Sequence, residues 1–596
     1  MPAAPEAFYF GHPDRPLMGF WHAPRAPAKP PAVVLVGPWG IEGMNLQRTW
    51  RHFAQDLAAQ GFPVLRFDLD GCGDAHSPSD DTDFWPLWMD ALSQARQTTL
   101  ARTGLGCVAL VGFRQGALLA AHHAHMNPSG VHSLVLMAPM RSGHACVREL
   151  KMLEASIGQA PAAAPWALVA AGFGMNEATA NSLKQVKLPT GLPGVCVSVV
   201  DRLEAPMGSA WTEALAATGA RTTHVVVPGY PGMMRIAHEV TPAAPFFNEA
   251  LKCLSDAVAA LPPHTPAPNP HARPCAPCCT LLPPQGHGTT VREWATPPFG
   301  AAGMVAVVAR PEQSPRDKPP PGKAILVLNS GAEHRVGPNR MWVDWARGMA
   351  AQGHTVVRLD LPGLGESNGG PTQASTQVYR DDTLHHIGEA LDWLDKQLNV
   401  TRWAVMGLCS GAYHAIGVAL RDARVERVVA INPFVFFPAQ LRDIDLLAGN
   451  AMQHMVAAHT LKSAKDPQRW LRLLRGESNI RLIVQSLAGR TRTKLVKQGL
   501  DLGRRLKLVP PTPLATSLTT ATARGCRFHF VFDINEPGWA ILKEDIGGLA
   551  DRMLANGRFT LDTIPNGGHS FATLEGRAKM LACTQAHLQA WANPTN

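Results

Sequence analysis

The chain has 596 residues, of which 46% are hydrophobic and 17% are charged. This composition is ordinary for a packed protein and excludes a wholly disordered or a collagen-like chain. No window holds the run of apolar residues that a membrane-spanning helix needs. The N-terminus also lacks the basic and apolar segments of a secretory signal. The 11 cysteines therefore predict reduced thiols in a cytoplasmic protein and not a disulfide framework.

An internal repeat with a constant offset of 292 residues divides the chain. The segments that begin at Pro31 and Gly322 align without a gap and place Asp68 on Asp360. Each copy reads as strand, loop, helix, strand and tight turn, which predicts parallel βαβ units and an α/β fold. The expected strands of the two copies are Val33–Val36 and Phe62–Phe67, and Ala324–Leu328 and His354–Leu359. A glycine in the left-handed conformation is expected to end each helix, at Gly61 and Gly353.

A proline-rich segment separates the two copies. Nine of the 23 residues from Pro262 to Pro284 are proline, so the segment cannot be a helix or a central strand and is expected to be extended. We therefore expect one domain at residues 1–260, a linker at 261–290 and a second domain at 291–596.

The same segment contains residue types that bind zinc, namely His264, His271, Cys275, Cys278 and Cys279. A Cys-x-x-Cys pair with nearby histidines is compatible with a zinc site. The second cysteine pair of the usual site is missing, and the prolines restrict wrapping around an ion. We therefore expect no bound metal, and nothing in the sequence indicates a cofactor.

The strongest chemical motif is Gly407-Leu408-Cys409-Ser410-Gly411, between a predicted strand and a predicted helix. A sharp strand-to-helix turn needs small residues on both sides and exposes its central side chain above the sheet. A helix N-terminus at this point favours a thiolate and an oxyanion. Cys409 is thus the candidate nucleophile. The alternatives are that Cys409 is only a small buried residue, or that Ser410 is the nucleophile.

Both halves of the chain, over roughly residues 5–260 and 285–593, resemble the α/β-hydrolase fold. The run His334-Arg335-Val336-Gly337-Pro338-Asn339-Arg340 is similar to one in serine-aminopeptidase-like and exosortase-associated bacterial hydrolases. This resemblance implies two tandem α/β-hydrolase domains, each with a mostly parallel, doubly wound sheet and a helical cap. Most of that family uses serine at the elbow, whereas a cysteine there is similar to dienelactone hydrolases and polyhydroxyalkanoate synthases.

In this fold the acid and the histidine follow the nucleophile along the chain. Asp533 and Glu536 follow a β-rich run, and the position of the family's usual acid favours Glu536, with Asp533 as the alternative. His569 lies in a glycine-rich loop near the C-terminus and is the expected general base, unless it is a plain loop histidine.

These residues predict a cysteine-dependent hydrolase. His569, oriented by Glu536, would take the proton of Cys409, and the thiolate would attack an acyl carbonyl. The expected oxyanion donors are backbone N–H groups of Ser410 and of the loop after the first strand of this copy, at Ser330, Gly331 or Ala332. Thiolate chemistry favours thioesters and activated esters over amides.

The first copy keeps the elbow glycines but has Arg114 at the centre. An arginine stays protonated and cannot act as a nucleophile. Asp201 and Glu204 match Asp533 and Glu536, and His238 lies one residue out of register with His569. The first domain is therefore expected to be a non-catalytic scaffold, or alternatively an anion pocket in which Arg114 faces His238.

A helical cap is expected at about residues 434–524. Between Leu441 and Pro510 there are 14 lysines and arginines against 5 acidic residues, a surplus equal to the net charge of +9. This surplus is typical of a solvated helical face, or it indicates attraction of an anionic substrate. Pairs such as Arg472 and Arg475, or Lys494 and Lys497, would line one helix face.

Three functions remain open from the sequence. The first is an ester or thioester hydrolase that acts on a small-molecule or carrier-bound acyl substrate, most plausibly an anionic one. The second is an acyltransferase that uses the same cysteine on a coenzyme A, carrier or saccharide substrate. The third is a non-catalytic binding scaffold. The sequence shows no nucleic-acid-binding signature, and it does not indicate the oligomeric state.

Overall fold

The computed structural model describes residues 4–25, 28–156, 165–235, 237, 239–241, 243–259, 276–281, 288–312, 322–369, 378–380, 382–437 and 509–592. The chain forms two compact units. Unit 1 contains Met1–Lys318 and Gly331–Val378, and unit 2 contains Pro319–Ser330 and Tyr379–Asn596. Residues 331–378 of the second repeat therefore belong to unit 1.

Strands and helices alternate along most of the described chain. The strands are β1 (Glu6–His12), β2 (Arg15–His22), β3 (Ala32–Val36), β4 (Val64–Phe67), β5 (Val108–Phe113), β6 (Val131–Met137), β7 (Trp166–Ala170), β8 (Phe173–Asn176), β9 (Cys196–Arg202), β10 (Arg221–Val227), β11 (Cys278–Leu281), β12 (Val291–Ala295), β13 (Val305–Pro311), β14 (Gly322–Val327), β15 (Thr355–Asp360), β16 (Val400–Leu408), β17 (Val425–Ile431), β18 (Arg527–Asp533) and β19 (Phe559–Ile564).

The helices are α1 (Ile41–Ala59), α2 (Phe84–Thr103), α3 (Gln115–Met126), α4 (Gly143–Ser156), α5 (Glu177–Gln185), α6 (Ala210–Ala217), α7 (Tyr230–Met233), α8 (Ala244–Val258), α9 (Met341–Ala351), α10 (Thr383–Leu398), α11 (Ser410–Arg421), α12 (Pro513–Ala523), α13 (Gly538–Ile546), α14 (Leu549–Ala555) and α15 (Leu574–Ala592). Among the described residues, no helix combines the length and the apolar composition that crossing a membrane requires.

Unit 1 contains an eight-stranded sheet in the order β1-β2-β4-β3-β5-β6-β9-β10. The pairs that involve β2 are antiparallel and the remaining pairs are parallel. Alternate residues of β3 pack into different cores: Val34 lies in the core that contains Trp88 of α2, and Val33 lies in the core that contains Trp50 of α1. Strands covered on both faces read as continuous apolar runs, which is why β3 was predictable.

The strands of the second repeat are divided between the units. In unit 1, β11, β12, β13 and β15 are joined in that order as antiparallel pairs. In unit 2, β14, β16, β17, β18 and β19 are joined in that order as parallel pairs. The predicted α/β fold with mostly parallel sheets is confirmed, and the four predicted strands of the repeats coincide with β3, β4, β14 and β15 to within two residues.

Two details of the repeats bear on the predictions. Gly61 and Gly353 have φ of 96° and 99°, which confirms the left-handed helix ends. Strand β11 lies inside the predicted linker and pairs with β12 at the edge of its sheet, so this part of the linker is built into unit 1. His264, His271 and Cys275 lie outside the described residues.

Reciprocal ion pairs join the two repeats within unit 1. Arg66 Nη2 lies 2.6 Å from Glu366 Oε2, and Arg358 Nη1 lies 2.5 Å from Asp74 Oδ1. The offset of 292 relates Arg66 to Arg358 and Asp74 to Glu366, so each repeat supplies the arginine of one pair and the acid of the other. All four side chains are buried.

The run from His334 to Arg340, which suggested a family resemblance, also contributes to the contacts between the two repeats. Arg335 donates to Asp360 at 2.7 Å and pairs with Asp74 of the first repeat. Arg340 donates to the backbone carbonyls of Gly73 and Ala75, both at 2.8 Å. The arginines of this run therefore hold the two repeats together inside unit 1.

We predict that Glu366→Gln destabilises the protein most at neutral pH. Burial alone would raise the pKa of Glu366, but the charges of Arg66, Arg51 and Arg335 outweigh it and lower the pKa to about 2. A lowered folded-state pKa gives stability that is present above the unfolded-state value of about 4.3 and is lost as the pH falls towards 2. Leaving Arg66 buried without its partner should cost about 3–5 kcal/mol at pH 7.

Urea unfolding at several pH values measures this effect, with the exposed Glu213→Gln as the control. The difference between wild type and Glu366→Gln should shrink between pH 5 and pH 2. A difference that is constant over this range would contradict an electrostatic origin.

Candidate active site

The elbow of the second repeat has the predicted strand–turn–helix form. Cys409 stands between β16 and α11 with φ 57° and ψ −115°, a left-handed conformation that is strained for a residue with a side chain. Its N–H donates to the carbonyl of Ile431 at 2.9 Å. The Cys409 side chain is partly exposed, as a nucleophile must be.

The glycines on both sides of Cys409 are needed because backbone passes close to them. A Cβ on Gly407 would lie 2.4 Å from the carbonyl carbon of Gly411, and one on Gly411 would lie 2.5 Å from the Asn329 carbonyl oxygen. The loop after β14 therefore runs directly beside the elbow. Asn329 is followed by Ser330, one of the predicted oxyanion donors.

The predicted oxyanion donors are divided between the two units. Ser330 and Ser410 are buried in unit 2, and Ser410 is the first residue of α11. Gly331 and Ala332 belong to unit 1, and their role stays a prediction.

The predicted histidine and acid are in contact. His569 Nδ1 lies 3.0 Å from Glu536 Oε1, and the His569 side chain is 48% exposed. Burial alone would lower the pKa of His569, but hydrogen bonds to Cys409 and Glu536, together with their charges, raise it to about 10. The structure thus brings His569 into contact with Glu536, and Cys409 lies close enough to raise the pKa of His569.

Asp533, the alternative acid, has a different set of partners. Its Oδ2 accepts the backbone N–H groups of Gly567 and Gly568 at 2.7 and 3.0 Å. Its Oδ1 accepts the backbone N–H of Asn535 at 2.9 Å. Asp533 is buried and holds the loop before His569, whereas Glu536 contacts the His569 ring itself.

Asn432 holds the same loop from the end of β17. Its Nδ2 donates to the carbonyl of His569 at 2.7 Å, and its Oδ1 accepts the N–H of Asp533 at 2.9 Å. Asn432 is fully buried with φ 43°. Sequence reasoning missed it, although an asparagine after an apolar parallel strand was a usable signal.

Tyr379 is a second residue that sequence reasoning missed. Burial raises the pKa of Tyr379, and so do the charge of Cys409 and a hydrogen bond to it. The Tyr379 ring packs edge-on against Tyr413 with ring centres 5.2 Å apart. The residues before it, 370–377, lie outside the described part, and no motif of the sequence marks this position.

The elbow of the first repeat has nearly the same backbone. Arg114 has φ 54° and ψ −116°. Its Nε donates to Glu42 at 2.8 Å, its Nη2 pairs with Glu149, and its guanidinium lies 5.3 Å from the Tyr230 ring centre. Two carboxylates of the chain thus stand where an anionic ligand would bind, which argues against an anion pocket at Arg114.

The remaining predicted residues of the first repeat have structural partners. Asp201 is buried and accepts the backbone N–H of Met207 at 2.6 Å, and it lies 3.2 Å from His224 Nε2. Glu204 accepts the N–H of Gly229 at 3.3 Å. His238 lies outside the described residues, so the predicted approach of His238 to Arg114 stays a prediction.

A cavity of about 80 Å³ lies elsewhere in unit 1, near the loop after β3. Gly37, Trp50, Asp68 and Phe173 are among the residues that line it, and Arg114 is not. Burial, reinforced by the charge of Asp74, raises the pKa of Asp68 to about 7. The elbow of the first repeat is therefore separate from this cavity.

The predicted cap at about 434–524 falls mostly outside the described residues, which resume at 509. Within it, α12 forms and Thr512 caps its N-terminus by accepting the N–H of Ala515. Arg472, Arg475, Lys494 and Lys497 are not described. The basic surface and its attraction for an anion remain predictions.

Comparison with known proteins identifies the fold of both repeats. Residues 33–158 match the family model described as alpha/beta hydrolase fold, and residues 325–581 match the model described as alpha/beta hydrolase family. No curated protein matches the sequence.

Several solved structures are similar at low identity. Est1E from Butyrivibrio proteoclasticus with ferulic acid bound is 13% identical, with a TM-score of 0.33 over 42% of this chain and 99% of Est1E. An esterase of Pyrococcus furiosus is 12% identical, with a TM-score of 0.30 over 50% and 91% of the two chains. A serine hydrolase without a lid from Xanthomonas campestris is 17% identical, with a TM-score of 0.28 over 45% and 99%.

We predict that Asp533→Asn loosens the His569 loop. An asparagine has one acceptor oxygen in place of two, so either the N–H groups of Gly567 and Gly568 or that of Asn535 lose their partner. A buried donor without a partner costs about 1–3 kcal/mol. Amide hydrogen exchange at Gly567 and Gly568 should become faster, whereas the exposed Asp551→Asn control should leave it unchanged. Unaltered exchange in Asp533→Asn would show that the carboxylate does not hold this loop.

Proposed function

Because the chain carries two α/β-hydrolase-fold domains in tandem, we propose that the second domain hydrolyses an ester or thioester through an acyl-enzyme on Cys409. His569 is the general base and acid, and Glu536 orients it. One observation carries the proposal: His569 Nδ1 lies 3.0 Å from Glu536 Oε1, and Cys409 lies close enough to raise the pKa of His569. A nucleophile–base–acid triad requires this sequence of contacts.

The charge at His569 supports thiol chemistry. The pKa of His569 is raised to about 10, so its ring readily accepts the thiol proton of Cys409, and the resulting thiolate is the reactive form. In acylation the Cys409 sulfur attacks the acyl carbonyl carbon and the carbonyl electron pair moves onto oxygen. The leaving alcohol or thiol then departs with the proton that His569 donates.

Deacylation reverses these roles with water. His569, now neutral, takes a proton from the attacking water, and the hydroxide adds to the acyl carbon. The C–S bond breaks, the carboxylic acid leaves, and the thiolate is restored beside the imidazolium. Glu536 keeps the ring oriented in both halves of the reaction.

We assign the oxyanion of the tetrahedral intermediates to backbone N–H groups of Ser410 and Ser330. Ser410 begins α11, and the N-terminus of a helix favours negative charge. Ser330 follows Asn329, whose carbonyl lies beside the elbow. One such donor contributes about 3–4 kcal/mol to transition-state stability. We propose that the Tyr379 hydroxyl, whose pKa is raised in part by the charge of Cys409, is a further donor to the sulfur during attack.

The first domain is proposed to be non-catalytic. A guanidinium cannot attack a carbonyl, and Arg114 is committed to Glu42 and Glu149. The role of the first domain is then structural, since unit 1 contains the ion pairs between the repeats.

An acyltransferase is the alternative function, and the basic segment 441–510 favours it because a positive surface attracts a negatively charged acyl carrier. The two functions differ in the acceptor. Faster substrate consumption on adding an alcohol or amine, with formation of the acylated acceptor, identifies transfer. Unchanged consumption and free acid identify hydrolysis.

We predict that intact-protein mass spectrometry with a panel of acyl esters and thioesters detects one acyl adduct on the wild type. The adduct should be absent in Cys409→Ala and present in two controls, Cys107→Ala and Arg114→Ala, which change a distant cysteine and the first elbow. An adduct that persists in Cys409→Ala would exclude Cys409 as the nucleophile. A thiol inert to every acyl donor and to small alkylating agents would favour a binding scaffold.

We predict that Glu536→Gln lowers kcat by about 10²- to 10⁴-fold and also shifts the pH profile. Replacing the carboxylate by an amide removes a negative charge that raises the pKa of His569, so the pKa falls. Because the protonated ring is needed to expel the leaving group, kcat/KM should decline above about pH 10 in the wild type and at lower pH in the variant. Glu544→Gln on α13, exposed, is the control. An alkaline limit that does not move would remove Glu536 from the triad.

A further inference from the structure

Three metal-binding side chains meet in unit 2 outside the proposed triad. They are His529 on β18, Asp562 on β19 and Cys583 on α15. Their donor atoms all lie within 4.8 Å of one another. These residues are far apart in sequence, so only the pairing of β18 with β19 and the return of the C-terminal helix bring them together.

The distances between the donor atoms match one face of a coordination tetrahedron. His529 Nε2 lies 3.4 Å from Cys583 Sγ and 3.4 Å from Asp562 Oδ2, and Cys583 Sγ lies 3.0 Å from Asp562 Oδ2. Zinc–ligand bonds of about 2.0–2.3 Å at tetrahedral angles place donors roughly 3.3–3.6 Å apart. Shifts of a few tenths of an ångström would therefore suffice to admit an ion.

The surroundings of His529 are those of a metal ligand. Its Nδ1 lies 2.7 Å from Thr560 Oγ1, so the hydrogen bond on that side leaves Nε2 to face the cysteine and the aspartate. The ring of His587 stacks on His529 with centres 4.1 Å apart, and His587 Nε2 is buried with no hydrogen-bond partner. The stacked ring of His587 thus covers one face of the His529 ring.

We propose that His529, Asp562 and Cys583 form a binding site for a zinc ion, with water as the fourth ligand. Thiolate and imidazole together select zinc over magnesium or calcium, which prefer oxygen ligands. In the metal-free protein the Cys583 thiol donates to Asp562. On binding, that thiol proton leaves to solvent as the Zn–S bond forms. The ion then links α15 to the middle of β18 and β19.

Cobalt(II) titration of the chelator-treated full-length protein tests this site directly, because a thiolate ligand gives a near-ultraviolet charge-transfer band. The wild type should show this band at one equivalent, and added Zn²⁺ should abolish it. Cys583→Ser should remove the band, and Cys278→Ser, in the other cysteine-rich segment, should keep it. Thr560→Val, which removes the partner of His529 Nδ1, should weaken Co²⁺ binding by about 10- to 100-fold.

Asp562→Asn provides a variant that should fold in any case, since Asp562 is 53% exposed. It should bind Co²⁺ more weakly than the wild type while its circular dichroism is unchanged. No charge-transfer band in the wild type, or a band that persists in Cys583→Ser, would overturn the proposal. The result is independent of the acyl chemistry at Cys409, because the readout is metal binding alone.

Discussion

The architecture of both elbows depends on one backbone constraint: a residue with a side chain is held in the left-handed region between a parallel strand and a helix. Cys409 and Arg114 have φ and ψ within a few degrees of each other, although their chemistry is unrelated. The cost of this conformation, of order 1–3 kcal/mol, is offset by packing in which flanking glycines let neighbouring backbone pass. The turn is therefore a property of the fold, and the side chain placed on it decides the chemistry.

Around the second elbow, Asp533 and Glu536 have different partners. The carboxylate of Asp533 accepts backbone N–H groups and holds the loop before His569, whereas Glu536 contacts the ring of His569. In the first repeat both acids accept backbone N–H groups, Asp201 that of Met207 and Glu204 that of Gly229. At the first elbow, Glu42 and Glu149 pair with the charge of Arg114.

Features encoded by local pattern were predictable from the sequence, and those that depend on distant pairing were not. The strands, the helix-ending glycines and the elbow follow from apolar runs and glycine spacing within short windows. Asn432 and Tyr379 reach the site only through the strand order and the fold of a loop. The partners of Arg114 lie 72 and 35 residues away, and the cluster of His529, Asp562 and Cys583 has no spacing that resembles a metal motif. From the sequence, the arginines of the 334–340 run indicated only a family resemblance. Their contacts with the first repeat became visible only in the structure.

The reciprocal ion pairs of unit 1 have the form of a contact between two like subunits. In unit 1 each repeat supplies an arginine to the other repeat and an acid for the arginine that it receives. A contact with this reciprocity is called isologous, and two identical subunits form such a contact around a two-fold axis. Duplication and fusion of the gene for a self-associating subunit would carry such a contact into one polypeptide. In a homodimer a single codon change alters both halves of the contact at once, whereas in the fused chain each half drifts by itself. In this chain the two acids already differ, since Arg358 pairs with Asp74 whereas Arg66 pairs with Glu366.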